Sequence, residues 1–156
     1  MATAAIHIGL ISDTHGLMRP SALAALAGSD AIVHAGDIGK PAVLEALAAI
    51  APVTVVRGNN DKGAWCREIP ETAAVEFGDA WLYVLHDLAE LDLDPAGTFA
   101  AVVVGHSHRP SVTERDGVLY INPGSAGPRR FKLPICVARM TIVGGTVTAE
   151  IVELSG

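Results

Sequence analysis

The sequence predicts an α/β (α+β) fold in which two β-sheets pack face to face as a sandwich, with helices on the outside. Three observations carry that expectation. The first 56 residues alternate apolar runs with helical patterns in the order β-α-β-α-β, which implies parallel strands joined by right-handed crossovers. From residue 73 onward the apolar runs have strand length and are bounded by turn signals, so an all-strand part follows the α/β start. At 156 residues, half of them apolar and 18% charged, the chain can bury most of its apolar surface in one core. Nothing resembling a linker, repeat or low-complexity segment divides it, so residues 1–156 are expected to form one domain.

Residues 5–11 ("AIHIGLI") read as the first strand, and "PSALAALAG", opening on Pro20, as a short helix closed by Gly28. Residues 31–35 ("AIVHA") give the second strand, and "KPAVLEALAAI" sets Pro41 at a helix start. "VTVV" at 53–56 ends the alternation. Further strands are expected at 73–77, 81–85, 100–104, 118–122, 135–142 and 146–153, separated by turn signals such as "RDG", "NPGSAGP" and "VGG".

No apolar run approaches the roughly 18 residues of a membrane-spanning helix, and "MATAAIHIGLISD" lacks a basic leader, so a cytoplasmic protein without membrane partners is expected. Cys66 and Cys136 lie far apart with no C-x-x-C spacing and read as buried thiols. A net charge of −6 without a block of Lys or Arg disfavours duplex nucleic acid and anionic membranes, so no long nucleic acid is expected as a partner. A small phosphoester is the more natural anionic ligand, and the state of self-association, including a homo-oligomer, is left open.

The chemistry lies at the strand ends. The first strand stops at "SDTHG" (Asp13, His15), the second at "HAGD" (Asp37), the third at "RGNND" (Asn59), a later one at "YVLHD" (His86) and another at "VVVGHSHRP" (His106, His108). Any one of these has an ordinary explanation: an aspartate capping a helix, an asparagine forming a turn, a solvated histidine. Seven metal-competent residues at the ends of five strands do not. The carboxyl ends of parallel strands form the ligand crevice of open α/β sheets, which brings such groups together across about 95 residues. Glycines 36, 58 and 105 directly precede three of them and allow close backbone approach. If the "GHSH" segment is extended, His106 and His108 fall on one side of it. His7 belongs to the alternation of the first strand, and His34 is a candidate supporting residue behind the metal ligands.

The ordered set "DTH", "GD", "GNND", a single later His and "GHSH" resembles the calcineurin-like metallophosphoesterases, most closely their small single-domain phosphodiesterase branch. The resemblance runs from about Ile6 to "NPGSAGPRR" and implies a four-layer sandwich with a dinuclear metal site at one edge. It also implies that Asp13, His15, Asp37 and His108 hold one divalent cation, and that Asp37 bridges to a second held by Asn59, His86 and His106. Mn²⁺ is favoured, with Fe²⁺, Zn²⁺ or Ni²⁺ compatible with the donor types. The implied activity is hydrolysis of a small phosphodiester by a hydroxide shared between the two ions. Asn60 stands where many family phosphatases carry a histidine that assists the leaving group, a departure that favours diesters over monoesters. Asn60 and Arg129, with Arg130 beside it, are candidates for contact with the substrate phosphate. Asp87 replaces a glycine usual after the single histidine. The alternative is a catalytically weak or inactive protein-interaction module on the same fold, as in a retromer subunit, with Trp65 or Phe131 as candidate contact residues.

Overall fold

Proline opens both helices. In the computed structural model, which describes residues 4–155, strand β1 (Ile6–Ile11) leads to helix α1 (Pro20–Leu26) and strand β2 (Ala31–His34) to helix α2 (Pro41–Ala48), before strand β3 (Val53–Val55). Pro20 and Pro41 begin these helices, where a missing N–H leaves nothing unpaired and the fixed φ already suits the helix. The second half supplies β4 (Thr72–Phe77), β5 (Ala80–Leu85), β6 (Ala101–Val103), β7 (Ser111–Arg115), β8 (Val118–Asn122), β9 (Cys136–Val143) and β10 (Thr146–Glu153).

Two five-stranded sheets result, in the orders β10-β9-β1-β2-β3 and β4-β5-β6-β8-β7. Strands β1, β2 and β3 are mutually parallel, as are β5, β6 and β8; the second sheet has an antiparallel strand at each margin, whereas the first is antiparallel only on the β9–β10 side and ends on parallel β3. The core lies between the sheets, where Ile8, Leu10, Val33 and Met140 of the first meet Leu82, Val84, Val103 and Ile121 of the second. Burying each such side chain contributes about 1.5–3 kcal/mol. The first sheet's other face, through Ile11, Ile32 and Val137, packs on Leu26, Val43 and Leu47 of the helices.

The sandwich of two sheets with helices outside is the fold that the sequence predicts, and two details add to it. Among the described residues the α-helices pack on the first sheet. The outer face of the second, formed by Tyr83, Leu85, Val102 and Val104, is roofed by Leu91 and Phe99 from the segment between β5 and β6. That segment carries one 3-10 turn (Leu88–Glu90) and then "LDLDPAG", whose proline and glycine prevent a longer helix. Strand β7 was also not foreseen. Its sequence, "SVTER", is almost wholly exposed and has no apolar alternation, and it becomes a strand by pairing antiparallel with β8 at the sheet edge. Cys66 and Cys136 are buried and unbridged, as expected. Among the described residues no helix is long and apolar enough to cross a membrane.

Candidate metal centre

The loops after β1, β2, β5 and β6 meet at one rim and bring five of the seven foreseen side chains together. His108 Nε2 lies 3.3 Å from Asp13 Oδ1, and His86 Nε2 lies 3.2 Å from Asp37 Oδ2. His15 Nε2 sits between the two carboxylates, 3.8 Å from Asp13 Oδ1 and 3.7 Å from Asp37 Oδ2. Asp13, Asp37, His86 and His108 are buried, and His15 is partly so. The backbone is bent to this end. Asp13, His15, Asp37, His106 and His108 all adopt left-handed φ, between 47° and 72°, among only seven such non-glycine residues in the described chain. Each such turn costs on the order of 1–3 kcal/mol and clusters at functional sites.

Hydrogen bonding orients each donor. Asp13 Oδ2 accepts from the Ser12 hydroxyl (2.6 Å) and the His106 N–H (3.1 Å), so only Oδ1 is left facing the imidazoles. Asp37 accepts from the Asn60 N–H at Oδ1 (2.9 Å) and from the Asn60 amide at Oδ2 (3.1 Å). His86 Nδ1 donates to the Ala35 carbonyl at 2.8 Å, an acceptor only, which aims Nε2 into the site. Four buried atoms remain without a hydrogen-bond partner: Asp13 Oδ1, His15 Nε2, His86 Nε2 and His108 Nδ1.

Buried polar atoms are normally paired, and two buried carboxylates packed among imidazole nitrogens make a site suited to cations. Two groups of potential ligand atoms emerge, Asp13 with His15 and His108, and Asp13 with Asp37 and His86. Asp13 is common to both, while Asp37 Oδ2 approaches an imidazole of each. The residues therefore fit divalent metal ions.

Electrostatics agree. Burial would push Asp37 up, but its contacts with His86 and the Asn60 N–H prevail and hold it well below the usual carboxylate range. Asp13 is likewise held low against its burial by His108, Ser12 and His86. Burial pushes His15 down. His86 moves up, because Asp37 and Asp13 outweigh burial. A proton and a metal therefore compete for His86, and metal affinity should fall as pH decreases, by up to about tenfold per unit once the proton prevails. Metal titrations at three pH values spanning neutrality check this; affinity independent of pH, with no proton released, would contradict it.

The remaining foreseen residues stand apart from the buried cluster. His106 and His108 do not project from one side of an extended segment, because both have left-handed backbones that turn them apart. His108 enters the cluster; the His106 side chain is 45% exposed and its Nδ1 lies 3.2 Å from Asn59 Oδ1, with its ring edge-on to His86. Asn60 directs its amide to Asp37, Arg129 is exposed, and Arg130 is close enough for its charge to bear on His15.

Supporting residues were harder to read from sequence. Asp61 accepts from the N–H groups of Ile38 (3.1 Å), Gly39 (3.0 Å) and Gly58 (2.9 Å), tying the loop after β2 to the loop after β3. Asn122, the last residue of β8, donates to the Gly105 carbonyl and the Ser107 hydroxyl, and Ser125 donates to the Asp13 carbonyl. Asn122 and Ser125 have no signal in the sequence beyond the polar residues of "NPGSAGP", which also serve as turn formers, whereas Asp61 closes "GNND" and is readable either as a support for a metal ligand or as a turn cap.

His34 is such a support. The Gly36 N–H donates to its Nδ1 (3.0 Å), so Nε2 carries the proton and donates to Thr14 Oγ1 (3.0 Å), whose hydroxyl donates to the Ile38 carbonyl (2.8 Å). Burial pushes His34 down to about 4. An unfolded chain protonates this ring near 6.5 while the native one does not, so its contribution is intact above that pH and declines as pH falls toward 4. The decline amounts to about 3 kcal/mol. Unfolding of metal-free protein should show this loss, and His34→Gln should flatten it; identical pH profiles would refute the assignment.

Comparison with known proteins places these features in context. The description of the calcineurin-like phosphoesterase superfamily domain matches residues 6–145. A probable metallophosphoesterase from Methanothermobacter thermautotrophicus is 32% identical over 159 residues, covering 94% of this chain and 91% of that protein. A phosphodiesterase from Methanocaldococcus jannaschii is 28% identical over 137 residues, covering 75% of this chain and 82% of that protein. Vacuolar protein sorting 29 from Cryptosporidium parvum shares the fold at a TM-score of 0.77 and 20% identity, covering 97% of this chain and 99% of that one.

Proposed function

The chain belongs to the calcineurin-like phosphoesterase superfamily, and from that premise we propose that it hydrolyses small phosphodiesters using two divalent cations, Mn²⁺ favoured, in the rim cluster. The observation that carries this reading is the set of four buried, unpaired ligand atoms on Asp13, His15, His86 and His108. When bound, the cations supply Lewis acidity toward phosphoryl oxygens and a water acidic enough to act as nucleophile near neutral pH.

The chain's own residues do the rest. Asp13, His15 and His108 would hold one ion, with Asp37 between it and a second at His86; His106 and Asn59 border that second position. Two buried carboxylates offset the mutual repulsion of the ions. The hydrogen bond that His86 donates to the Ala35 carbonyl and the one that Asp13 accepts from Ser12 keep Nε2 and Oδ1 aimed inward, so little reorganisation accompanies the reaction. Arg130 adds a guanidinium on the side of His15, suited to a phosphate oxygen. Asn60 is an amide bonded to Asp37 and delivers no proton. Turnover then favours esters whose leaving group departs without protonation, aryl diesters among them. The relative named a phosphodiesterase supports the same substrate class.

Elemental analysis, together with hydrolysis of bis-para-nitrophenyl phosphate and para-nitrophenyl phosphate with and without Mn²⁺, tests the proposal. Metal-dependent cleavage of the diester, faster than that of the monoester, is the expected result. Bound metal with turnover of neither would leave the interaction-module reading, for which one observation stands: Phe131 is 91% exposed, whereas Trp65 packs against the helix-side core.

A further inference from the structure

Between β3 and β5, beside the buried cluster, lies a cavity of about 130 Å³ lined by Arg57, Asn59, Glu71, His86, Asp87 and Glu90. Arg57 and Glu71 pair with one another at 3.1 Å. Asp87 is divided in its use. Its Oδ1 accepts the Ala89 N–H (3.0 Å) and caps the 3-10 turn, while its Oδ2 faces His106 Nε2 at 3.8 Å.

The facing pair is informative. Asn59 Oδ1, an acceptor only, lies 3.2 Å from His106 Nδ1, so Nδ1 is engaged there and Nε2 is the ring nitrogen turned toward Asp87. Asp87 Oδ2 and His106 Nε2 thus stand opposite each other at 3.8 Å, beyond hydrogen-bond distance. Two ligands of one cation, each about 2.1 Å from it at a tetrahedral angle, are about 3.4 Å apart, close to the separation seen. The His106 ring meets His86 edge-on, its centroid 5.2 Å away, and the buried His86 Nε2 is without a hydrogen-bond partner. The Asp87 and His106 side chains are 33% and 45% exposed, and Asp87 follows His86 directly in the chain.

We propose that Asp87 is a further carboxylate ligand of the second cation, an assignment that rests on the metallophosphoesterase reading above. It gives the outer position, otherwise served by imidazoles and an amide beside Asp37, a charge of its own. The second ion is thereby held more tightly, and made less electrophilic, than it would be without Asp87.

Titration of the metal-free protein with Mn²⁺ alone, followed by calorimetry and by the signal of free Mn²⁺ in electron paramagnetic resonance, tests this. Asp87→Asn preserves the oxygen that caps Ala89 and removes only the charge, and equal unfolding temperatures of the metal-free proteins verify that the fold is retained. The expected result is two equivalents in the wild type, with the second weakened about tenfold or more in Asp87→Asn and the first unchanged. An unchanged second equivalent overturns the role of Asp87 and leaves the dinuclear reading standing. One equivalent in the wild type overturns both the role and the second site, and no binding overturns the metal centre altogether.

Discussion

Asp37→Asn is expected to lower kcat/KM for an aryl phosphodiester by about 10³-fold or more while leaving the fold intact. Asp37 Oδ2 lies 3.2 Å from His86 Nε2 and 3.7 Å from His15 Nε2, so its charge stands between the two imidazoles that would hold different ions. Asparagine keeps an oxygen to accept the Asn60 N–H, now at 2.9 Å, so the loop retains its anchor. What disappears is one of two buried negative charges facing the cations. A second readout separates this from simple misfolding: His86 loses the partner that raises it, so the pH dependence of metal binding should move to lower pH. Near wild-type turnover, with an unmoved pH profile, would remove Asp37 from the reaction.

Gly58→Ala should be nearly as damaging by a different route. A methyl group at Gly58 would collide with the carboxylate and the backbone nitrogen of Asp37, because the loop after β3 lies directly against the loop after β2. The Gly58 N–H is also one of the three that Asp61 gathers. The loops must separate, which costs about 1–3 kcal/mol as overpacking. Asp37 moves with them, so metal uptake should fall along with the unfolding temperature. Gly145→Ala is the control, since a methyl there comes no nearer than 3.9 Å to another residue. Unfolding and metal content measured together decide the matter: wild-type uptake in Gly58→Ala would show that the two loops are not held in contact.

The parts of the fold that were legible share one property, an apolar face with a regular period. Runs such as "AIHIGLI" and "AWLYVL" declare their strands because both are buried, and prolines mark both helix starts. Strand β7 carries no such mark, since an exposed edge strand is specified by its neighbour's unpaired backbone and by little in its own residues. The cover over the second sheet was illegible for a related reason: a loop that packs through Leu91 and Phe99 alone has no period to read.

Within the site, the sequence by itself determined the donor types and their order along the chain, because residues that follow parallel strands necessarily arrive at one rim. Only the tertiary structure decided how they divide. His108 enters the buried cluster while His106 turns to Asn59 and Asp87, since left-handed backbone at both residues rotates two side chains that sequence spacing alone would align. It also decided which atoms are left to bind. Ser12 and Ala35 each satisfy one side of a ligand and leave the other bare, and such pairing depends on through-space contacts that residue order does not encode.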